Sequence, residues 1–384
     1  VSGRLSFEAR VQRGAFALHA TGHVDRGEVL GVIGANGSGK STLIGAIAGT
    51  HRITAGRIAL GDRVLCSRAA GAPEIQMPRS ERRIGHLDQR ARLFPHLDVR
   101  ANIAFGPRAQ GARRRAADVV AEEWLERIGL PDRARSHAHQ LSGGQQQRVA
   151  IARALAARPD AVLLDEPFAA LDVVSSEELR ALVAAELSRS GVPMVIVTHD
   201  PVDLIALADR VLVLEQGRIG QSGRVADVLA APSSPFAAEF TGRVLVKGVA
   251  SERGTLRLAD APLDELHGRG ELPAPGEPAV ASFAPSSVRV RPADTAHPRR
   301  LERTPQGRTC WNDTIRSVSA SAAGAAGVRL EFAGWPGFAA ELPLSGALER
   351  WLATGSPVRL ELSADDVRYA VPRRASEPGE VPAP

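Results

Sequence analysis

The run Gly34-Ala35-Asn36-Gly37-Ser38-Gly39-Lys40-Ser41-Thr42 has the composition of a phosphate cradle. Its glycines let backbone N–H groups come close to phosphate oxygens. In such a loop Lys40 reaches the β- and γ-phosphates and Ser41 offers its hydroxyl to Mg²⁺. Gly34, Asn36, Gly37, Ser38, Gly39 and Thr42 complete the wall around the nucleotide. The chain has only two lysines, Lys40 and Lys247, among 48 lysine and arginine residues. One of them stands at the phosphate-reaching position, where a compact point charge works and arginine's planar fork is a poor substitute. Two unit charges ~4 Å apart at an effective dielectric near 20 interact by ~4 kcal/mol, so loss of Lys40 is expected to nearly abolish tight ATP use.

Two further groups extend this chemistry. Asp165 and Glu166 close the apolar run 161–164. A carboxylate pair at the C-terminal edge of a strand stands where α/β sheets bind ligands. Asp165 would orient Mg²⁺ through water, and Glu166 would polarise an attacking water as general base. Leu141-Ser142-Gly143-Gly144-Gln145 reads as a helix start. Ser142 there can donate to a phosphate, and Gly143 and Gly144 leave room for one.

These groups need a scaffold that gathers strand ends and helix starts, and residues 1–240 carry its pattern. Short apolar runs alternate with helical periodicity, which implies an α/β sheet. Runs 29–33, 161–164, 192–197 and 211–214 read as strands, the first two buried and apolar as parallel strands are. The Gly loop follows the first strand and opens a helix, the context of a P-loop. Between residues 90 and 160 the pattern turns helical, with Val120, Trp124 and Ile128 four apart on one face. Leu179, Leu182, Val183 and Leu187 mark another helix. After Arg243 the period becomes two: 255–258, 288–291, 328–332 and 358–362 alternate apolar with polar residues, as half-buried antiparallel strands do.

The expected organisation is an α/β P-loop NTPase domain over 1–240, with a helical subdomain at about 90–160. A small all-β, OB-like barrel follows over 244–371, in one piece or in two (244–291 and 308–371) joined by the Arg- and Pro-rich stretch 292–308. The tail 372–384 is expected to be disordered.

Composition narrows the function classes. A chain of 384 residues suggests two or three domains. The net charge of +5 is mild, so no nucleic-acid partner is expected. Cys66 and Cys310 lie far apart and in no metal-ligand spacing, which fits a reducing, cytosolic compartment. No apolar run approaches the length of a membrane span. No charged-then-apolar leader opens the sequence. Any membrane work is therefore expected of a partner. The first residue, Val1, suggests a trimmed start or a non-ATG codon.

Together these motifs resemble the nucleotide-binding subunit of an ABC transporter. The stretch 141–155, LSGGQQQRVAIARAL, matches that family's signature and the helix after it, and the likeness covers essentially all of residues 1–240. Further roles are implied by the resemblance. Ser142, Gly143, Gly144 and Gln145 would grip a nucleotide held by the P-loop of a second copy, so that a homodimer closes on ATP. Gln89 matches the lid glutamine that contacts Mg²⁺ or water, which makes Ser41, Gln89 and Asp165 the metal set. Asp172, in Ala170-Leu171-Asp172, matches the D-loop aspartate at the dimer seam. His199, in Thr198-His199-Asp200, matches the switch histidine, and with Glu166 and Gln89 it forms the catalytic set. The chain departs from the family in three places. No ring stands at Val11 to stack on adenine; neighbouring Phe16 is the candidate substitute, though as an apolar strand residue it reads rather as core. Ala169 replaces a common serine, and Asp88 precedes Gln89 where an apolar aromatic is typical.

Importer subunits are the nearer likeness, since exporters of the half-transporter kind carry membrane helices in the same chain. Ala91-Arg92-Leu93-Phe94-Pro95-His96-Leu97 and Val99-Arg100-Ala101-Asn102-Ile103 are similar to molybdate-importer ATPases. The resemblance implies ATP hydrolysis driving uptake of molybdate or tungstate, with sulfate, ferric iron or polyamine as alternatives. It also implies a separate integral-membrane permease, an extracytoplasmic solute-binding protein, and a peripheral place on the cytoplasmic face of the membrane. Residues 308–371 look like a molybdate-binding barrel module, but only Asn312 of Thr309-Cys310-Trp311-Asn312 matches clearly. Glu361 stands where that module often has lysine, and a carboxylate there repels a dianion unless a cation intervenes. A structural or dimer-contact role for the barrel stays equally open. DNA-repair ATPases of this family need coiled coils between P-loop and signature, and translation ATPases carry two cassettes; neither feature occurs here. A vestigial cassette on an oxyanion-binding regulator is opposed by the intact Lys40, Glu166 and His199.

Overall fold

In the computed structural model, β1 (Leu5–Arg13) and β2 (Phe16–Val24) form a hairpin, and β3 (Val29–Gly34) runs into the Gly loop and α1 (Lys40–Ala48). Next come β4 (Ala55–Leu60), β5 (Arg63–Arg68), β6 (Ile75–Gln76) and β7 (Ile84–Leu87). Three helices follow: α2 (Val99–Ala109), α3 (Arg114–Arg127) and α4 (Gly143–Ala156). The first half then closes with β8 (Ala161–Asp165), α5 (Val173–Ser190), β9 (Met194–Val197), α6 (Pro201–Leu207), β10 (Arg210–Glu215) and β11 (Arg218–Arg224). The structure describes residues 3–169, 171–259, 261–293, 302–303, 308–321, 327–343 and 352–371. The tail 372–384, Ala170 and most of the stretch 292–308 lie outside the described residues.

Contacts divide the chain into two units, Val1–Val225 and Ala226–Pro384. The first is built on one sheet of order β6-β5-β4-β1-β2-β11-β10-β3-β9-β8-β7. Strands β10, β3, β9, β8 and β7 are mutually parallel. Their burial explains their apolar composition. Val29, Val162, Leu164, Met194 and Ile196 face the core shared with helices α2 to α5. Leu30, Val32, Leu163, Val195 and Val197 face the core shared with α1, β1 and β4. Successive side chains point to opposite faces, and both faces are covered, so no polar residue interrupts β3 or β9, and β8 is apolar up to Asp165. The expected strand 192–197 begins two residues later, at Met194, because Pro193 has no N–H for the ladder. The expected helical stretch holds three helices, with Trp124 and Ile128 buried between them.

Helix α7 (Val225–Ala230) begins at the division between the units, and the second unit continues with α8 (Pro235–Phe240) and then in strands. The order is β12 (Val244–Ala250), β13 (Leu256–Arg257), β14 (Glu265–Leu266), β15 (Pro278–Phe283), β16 (Arg289–Pro292) and β17 (Glu302–Arg303). It ends with β18 (Arg308–Ala320), β19 (Gly327–Phe332), β20 (Ala339–Pro343), β21 (Pro357–Ser363) and β22 (Arg368–Ala370). Among the described residues, one sheet runs β14-β13-β12-β15-β22 and another β16-β21-β18-β19-β20, with β17 on β18. Together they make an all-β unit of the expected OB-like class. Phe283, Trp311, Phe332, Trp335 and Phe338 fill the core between them, and Trp335 stacks on Phe338 at 4.6 Å. The expected strand 255–258 shrinks to the two residues of β13.

One buried charge secures the helix that carries Lys40. Arg82 is fully buried. It donates to the carbonyls of Ala46 (3.0 Å) and Ile47 (2.8 Å), which end α1, and to Met77 O (3.1 Å). A cation suits a helix C-terminus, where unpaired carbonyls concentrate negative charge. Gly49 ends the helix at φ 87°, and a Cβ there would meet the Arg82 guanidinium at 2.7 Å. Arg82→Met takes the guanidinium donor from the Ile47 and Met77 carbonyls and leaves Ala46 O only the Gly49 N–H (3.3 Å), and is expected to destabilise the first unit by about 3 kcal/mol. Urea unfolding followed in that unit measures the loss.

Candidate active site

The P-loop is shaped by a close approach of backbones. β3 pairs with β10, and a Cβ on Gly34 would lie 2.2 Å from Leu214 O and 2.5 Å from Ser38 Oγ. Gly37 and Gly39 hold φ of 79° and 111°, a region glycine visits freely. Gly39 caps α1 without a side chain, so the first N–H groups of that helix face outward. Ser38 is 4% exposed, and among the described residues its Oγ has no hydrogen-bond partner. A buried hydroxyl of this kind calls for a polar ligand. Lys40 Nζ donates to Gly34 O at 2.6 Å and Ala35 O at 3.0 Å. Burial lowers its pKa, and the carboxylates of Glu166 and Asp165 pull it back up.

Those carboxylates end β8. A cavity of about 840 Å³, within the range of ligand pockets, is lined by Lys40, Ser41, Gln89, Asp165 and Glu166 together. Sequence positions 41, 89 and 165 thus meet at one place, each offering an oxygen. Burial pushes the Asp165 carboxyl up to about 6; a hydrogen bond from Ser41 and the charge of Lys40 oppose the rise, while Glu166 and Asp88 add to it. Hard oxygen donors around a carboxylate that lacks charge compensation are the donor set a Mg²⁺ ion takes.

Glu166 stands at φ 50°, which a non-glycine residue rarely adopts. Its N–H donates to Val197 O (2.9 Å), which ties it to the next strand. Its carboxylate accepts from Gln89 Nε2 at 3.3 Å and faces His199 Nδ1 at 3.6 Å. Gln89, Glu166 and His199 are therefore neighbours. The His199 loop is braced from behind. Thr198 Oγ1 donates to Asp203 (2.5 Å), and Arg180 reaches both Asp203 (2.6 Å) and Asp200 (3.3 Å). Asp200 caps α6, with Pro201 at its first position.

Other expected site residues lie apart. Ser142 caps α4 in a capping box: Gln145 N donates to Ser142 Oγ (3.3 Å), and Ser142 N to Gln145 Oε1 (3.0 Å). Gln145 thus spends its amide on the helix start. A Cβ on Gly143 would meet nothing within 4 Å, so this helix end is open. Asp172 caps α5 by accepting from Ser175 N (3.0 Å), which holds its carboxyl below the usual range. Neither the turn at 142–145 nor Asp172 lines the cavity with Lys40. Two lining residues escaped the sequence reading, Arg13 and Gly14, which stand at the β1–β2 turn and carry no motif. Phe16, weighed between adenine stacking and the core, packs partly in the core and also borders the cavity, and a Cβ on Gly39 would lie 3.0 Å from its ring. Val11 is core.

In the second unit Thr309, Cys310 and Trp311 are buried and Asn312 is half-buried. Glu361 is flanked by Arg308 (3.6 Å) and Arg291 (4.0 Å), so its charge is compensated.

The raised Asp165 pKa has a testable sign. A carboxyl that titrates near 6 when folded and 3.8 when unfolded binds its proton more tightly in the folded protein. Ionised Asp165 therefore costs stability above pH 6, up to about 3 kcal/mol, and that cost fades as pH falls from 6 toward 4. Without nucleotide or divalent cation, Asp165→Asn is expected to melt above the wild type at pH 7, to keep about half of that advantage at pH 5 and to lose most of it by pH 4, as read by thermal unfolding.

Known proteins share this arrangement. The family model described as ABC transporter matches residues 19–169. The molybdenum import ATP-binding protein ModC of Mycobacterium tuberculosis is 41% identical over 352 residues, 90% of this chain and 91% of the relative. The Fe(3+) ions import ATP-binding protein FbpC of Streptomyces coelicolor is 40% identical over 70% of this chain and 73% of its own length. The sulfate/thiosulfate import ATP-binding protein CysA of Mesorhizobium japonicum is 39% identical over 71% and 77%. A dimeric structure of the ATP-binding cassette MJ0796, in a post-hydrolysis state bound to ADP and Pi, superposes with TM-score 0.50 and 26% identity over 58% of this chain and 98% of that one. A likeness of this depth, spanning the P-loop, the acidic strand end and the Ser-Gly-Gly turn, means that the chain belongs to the ABC transporter family.

Proposed function

We propose that this chain is the ATP-hydrolysing subunit of an importer for molybdate or tungstate, acting on a separate membrane permease. The chemistry rests on one observation: Gln89 and Glu166 line the cavity beside Lys40, and His199, outside that lining, faces Glu166 at 3.6 Å. The solute rests on coverage. The molybdenum relative aligns over 90% of the chain, whereas the iron and sulfate relatives align over 70% and 71%. Sulfate or ferric iron remains the second reading, favoured by those same relatives at nearly equal identity.

In this reading ATP lies along the P-loop, its phosphates on the N–H groups of α1 and on Lys40. Ser41, Gln89 and Asp165 would hold Mg²⁺, which when bound neutralises charge on the phosphate oxygens. Glu166 accepts a proton from a water oriented by Gln89, and the water oxygen attacks the γ-phosphorus; the bond to the β–γ bridging oxygen breaks and ADP leaves. His199 faces Glu166 and the γ-phosphate. The reading takes two copies, a choice supported by the placement of Ser142 and Asp172 away from the cavity that Lys40 lines. Exposed apolar residues beside Asp172 (Val173, 83%; Val174, 66%) and beyond His199 (Val202, 53%; Ile205, 69%) support a second copy covering this face. ATP closes the pair because the closed state binds it better than the open one, and hydrolysis removes that preference. Among the described residues no helix is long and apolar enough to cross a membrane. The reading therefore places the chain at the cytoplasmic face, bound to the permease, with a solute-binding protein on the other side.

Glu166→Gln is expected to bind ATP, to trap the dimer in size-exclusion chromatography, and to turn over about 10²–10⁴-fold more slowly. Undiminished turnover sinks the role of Glu166. Cells lacking the chain are expected to lose molybdate uptake and to keep sulfate uptake, measured with labelled oxyanions; the reverse pattern selects the second reading.

A further inference from the structure

We infer that the turn between α2 and α3 is a membrane-contact surface, an arginine cluster that lies against anionic lipid headgroups. The inference rests on the reading above that places the chain at the cytoplasmic face, and it adds a direct lipid contact to the one with the permease.

Positive charge is concentrated at this turn. Arg108, Arg113, Arg114 and Arg115 are all exposed, and the stretch 105–117 holds no acidic residue. These four stand in a chain whose whole formal net charge is only +5. A fifth arginine comes from another element. Arg158 is exposed just past α4, and the Ala157 side chain before it lies 2.6 Å from where a Cβ on Gly106 would stand. Among the described residues, Arg114 reaches Asp118 at 3.9 Å, whereas Arg108, Arg113, Arg115 and Arg158 have no acidic partner.

Helix stability does not explain this placement. Arg113 is the N-cap of α3 and makes no side-chain capping bond, Arg114 and Arg115 begin the helix, and its first turn holds no acid. The free N–H groups there carry partial positive charge, so three arginines oppose the helix dipole where an acid or a short polar cap would favour it. That local cost is offset when an anion lies against the guanidinium groups. The surroundings favour a lipid surface as that anion. The turn stands open, since a Cβ on Gly111 would meet nothing within 4 Å. Exposed apolar residues flank it, each one helical turn from an arginine: Phe105 (46%) precedes Arg108 by three residues, and Val119 (53%) follows Arg115 by four. Guanidinium forks pair with headgroup phosphates, while apolar side chains beside them enter the headgroup boundary. Each basic residue near an anionic leaflet strengthens binding about five-fold.

The test is co-sedimentation of the full chain with vesicles of phosphatidylcholine, either pure or with about one-third phosphatidylglycerol, at about 0.1 M salt. Binding is expected to the anionic vesicles alone, and to fade as salt rises. Arg113→Gln, Arg114→Gln and Arg115→Gln together are expected to weaken it about 100-fold. The same triple variant loses charges that oppose the helix dipole, so it is expected to melt no lower than the wild type and to keep its ATPase rate without lipid. Arg26→Gln, Arg57→Gln and Arg68→Gln together remove the same net charge from other exposed positions and are expected to change binding less than about three-fold. Equal losses in the two triple variants overturn the inference. So does equal binding to neutral vesicles, no binding to either kind, or binding to soluble polyglutamate as tight as to the anionic vesicles. If the α3 variant fails to fold, Arg108→Gln with Arg158→Gln decides, both lying outside that helix: about a 25-fold loss supports the lipid contact and undiminished binding overturns it. The assay contains no permease, ATP or molybdate, so its failure leaves the ATPase reading standing. Failure of Glu166→Gln to trap an ATP-bound dimer brings down that reading and not the vesicle result.

Discussion

Negative charge crowded at the end of one buried strand governs this molecule. Asp165 and Glu166 follow four fully apolar residues of β8, with Asp88 nearby, and a single lysine faces them. Burial makes the ionised form of Asp165 unfavourable enough to raise its pKa to about 6. Such a site is poised for positive charge. Lys40 supplies part of it while still donating to Gly34 and Ala35 carbonyls. Donors aimed outward from α1 and the unpartnered Ser38 hydroxyl have the opposite need, an anion. A nucleotide with a divalent cation satisfies both sides at once, which is why the two halves of the cavity make sense only together.

Helix starts organise the surroundings. Asp98, Ser142, Asp172 and Asp200 each cap a helix through a side-chain oxygen. Capping stabilises a helix by ~1 kcal/mol, so local stability alone favours these residue types there. The same geometry turns N–H groups and short polar side chains toward solvent, where a phosphate or a second copy can use them. Ser142 shows how the two demands coexist. Its hydroxyl oxygen accepts from Gln145 N, which leaves the hydroxyl proton free to point outward.

The second unit follows different physics. Its strands are short, and an aromatic cluster around Phe338 supplies much of its core. Trp311 is held edge-on against both Trp335 and Phe338. Glu361, which by itself would repel an anion, sits between two arginines. The relative with a molybdenum import name aligns through this unit as well as the first.

Much of the site was legible because its chemistry is local in sequence. A phosphate loop needs contiguous glycines and a lysine at fixed spacing, and a buried parallel strand must be apolar until its last residue, so positions 34–42 and 161–166 announce themselves. Cap residues are local too, since a cap acts within its own first turn. The barrel's strands were harder to bound, as at 255–258, because β pairing depends on partners far along the chain. Arg13 and Gly14 could not be assigned to the cavity for the same reason: the β1–β2 turn reaches the Gly loop only through the folded sheet. Residue types and spacing pointed to the phosphate loop, the Asp165–Glu166 pair and the α/β-then-β order, while Gln89 and His199 came in only through the family resemblance. Tertiary packing alone decided that Glu166 meets both Gln89 and His199, that Arg82 ends α1, and that α4 bonds to Pro167, to α5 and to the segment after Gln89. Those contacts join residues whose separation along the chain leaves no periodic trace, and only the closed core brings their side chains within hydrogen-bonding reach.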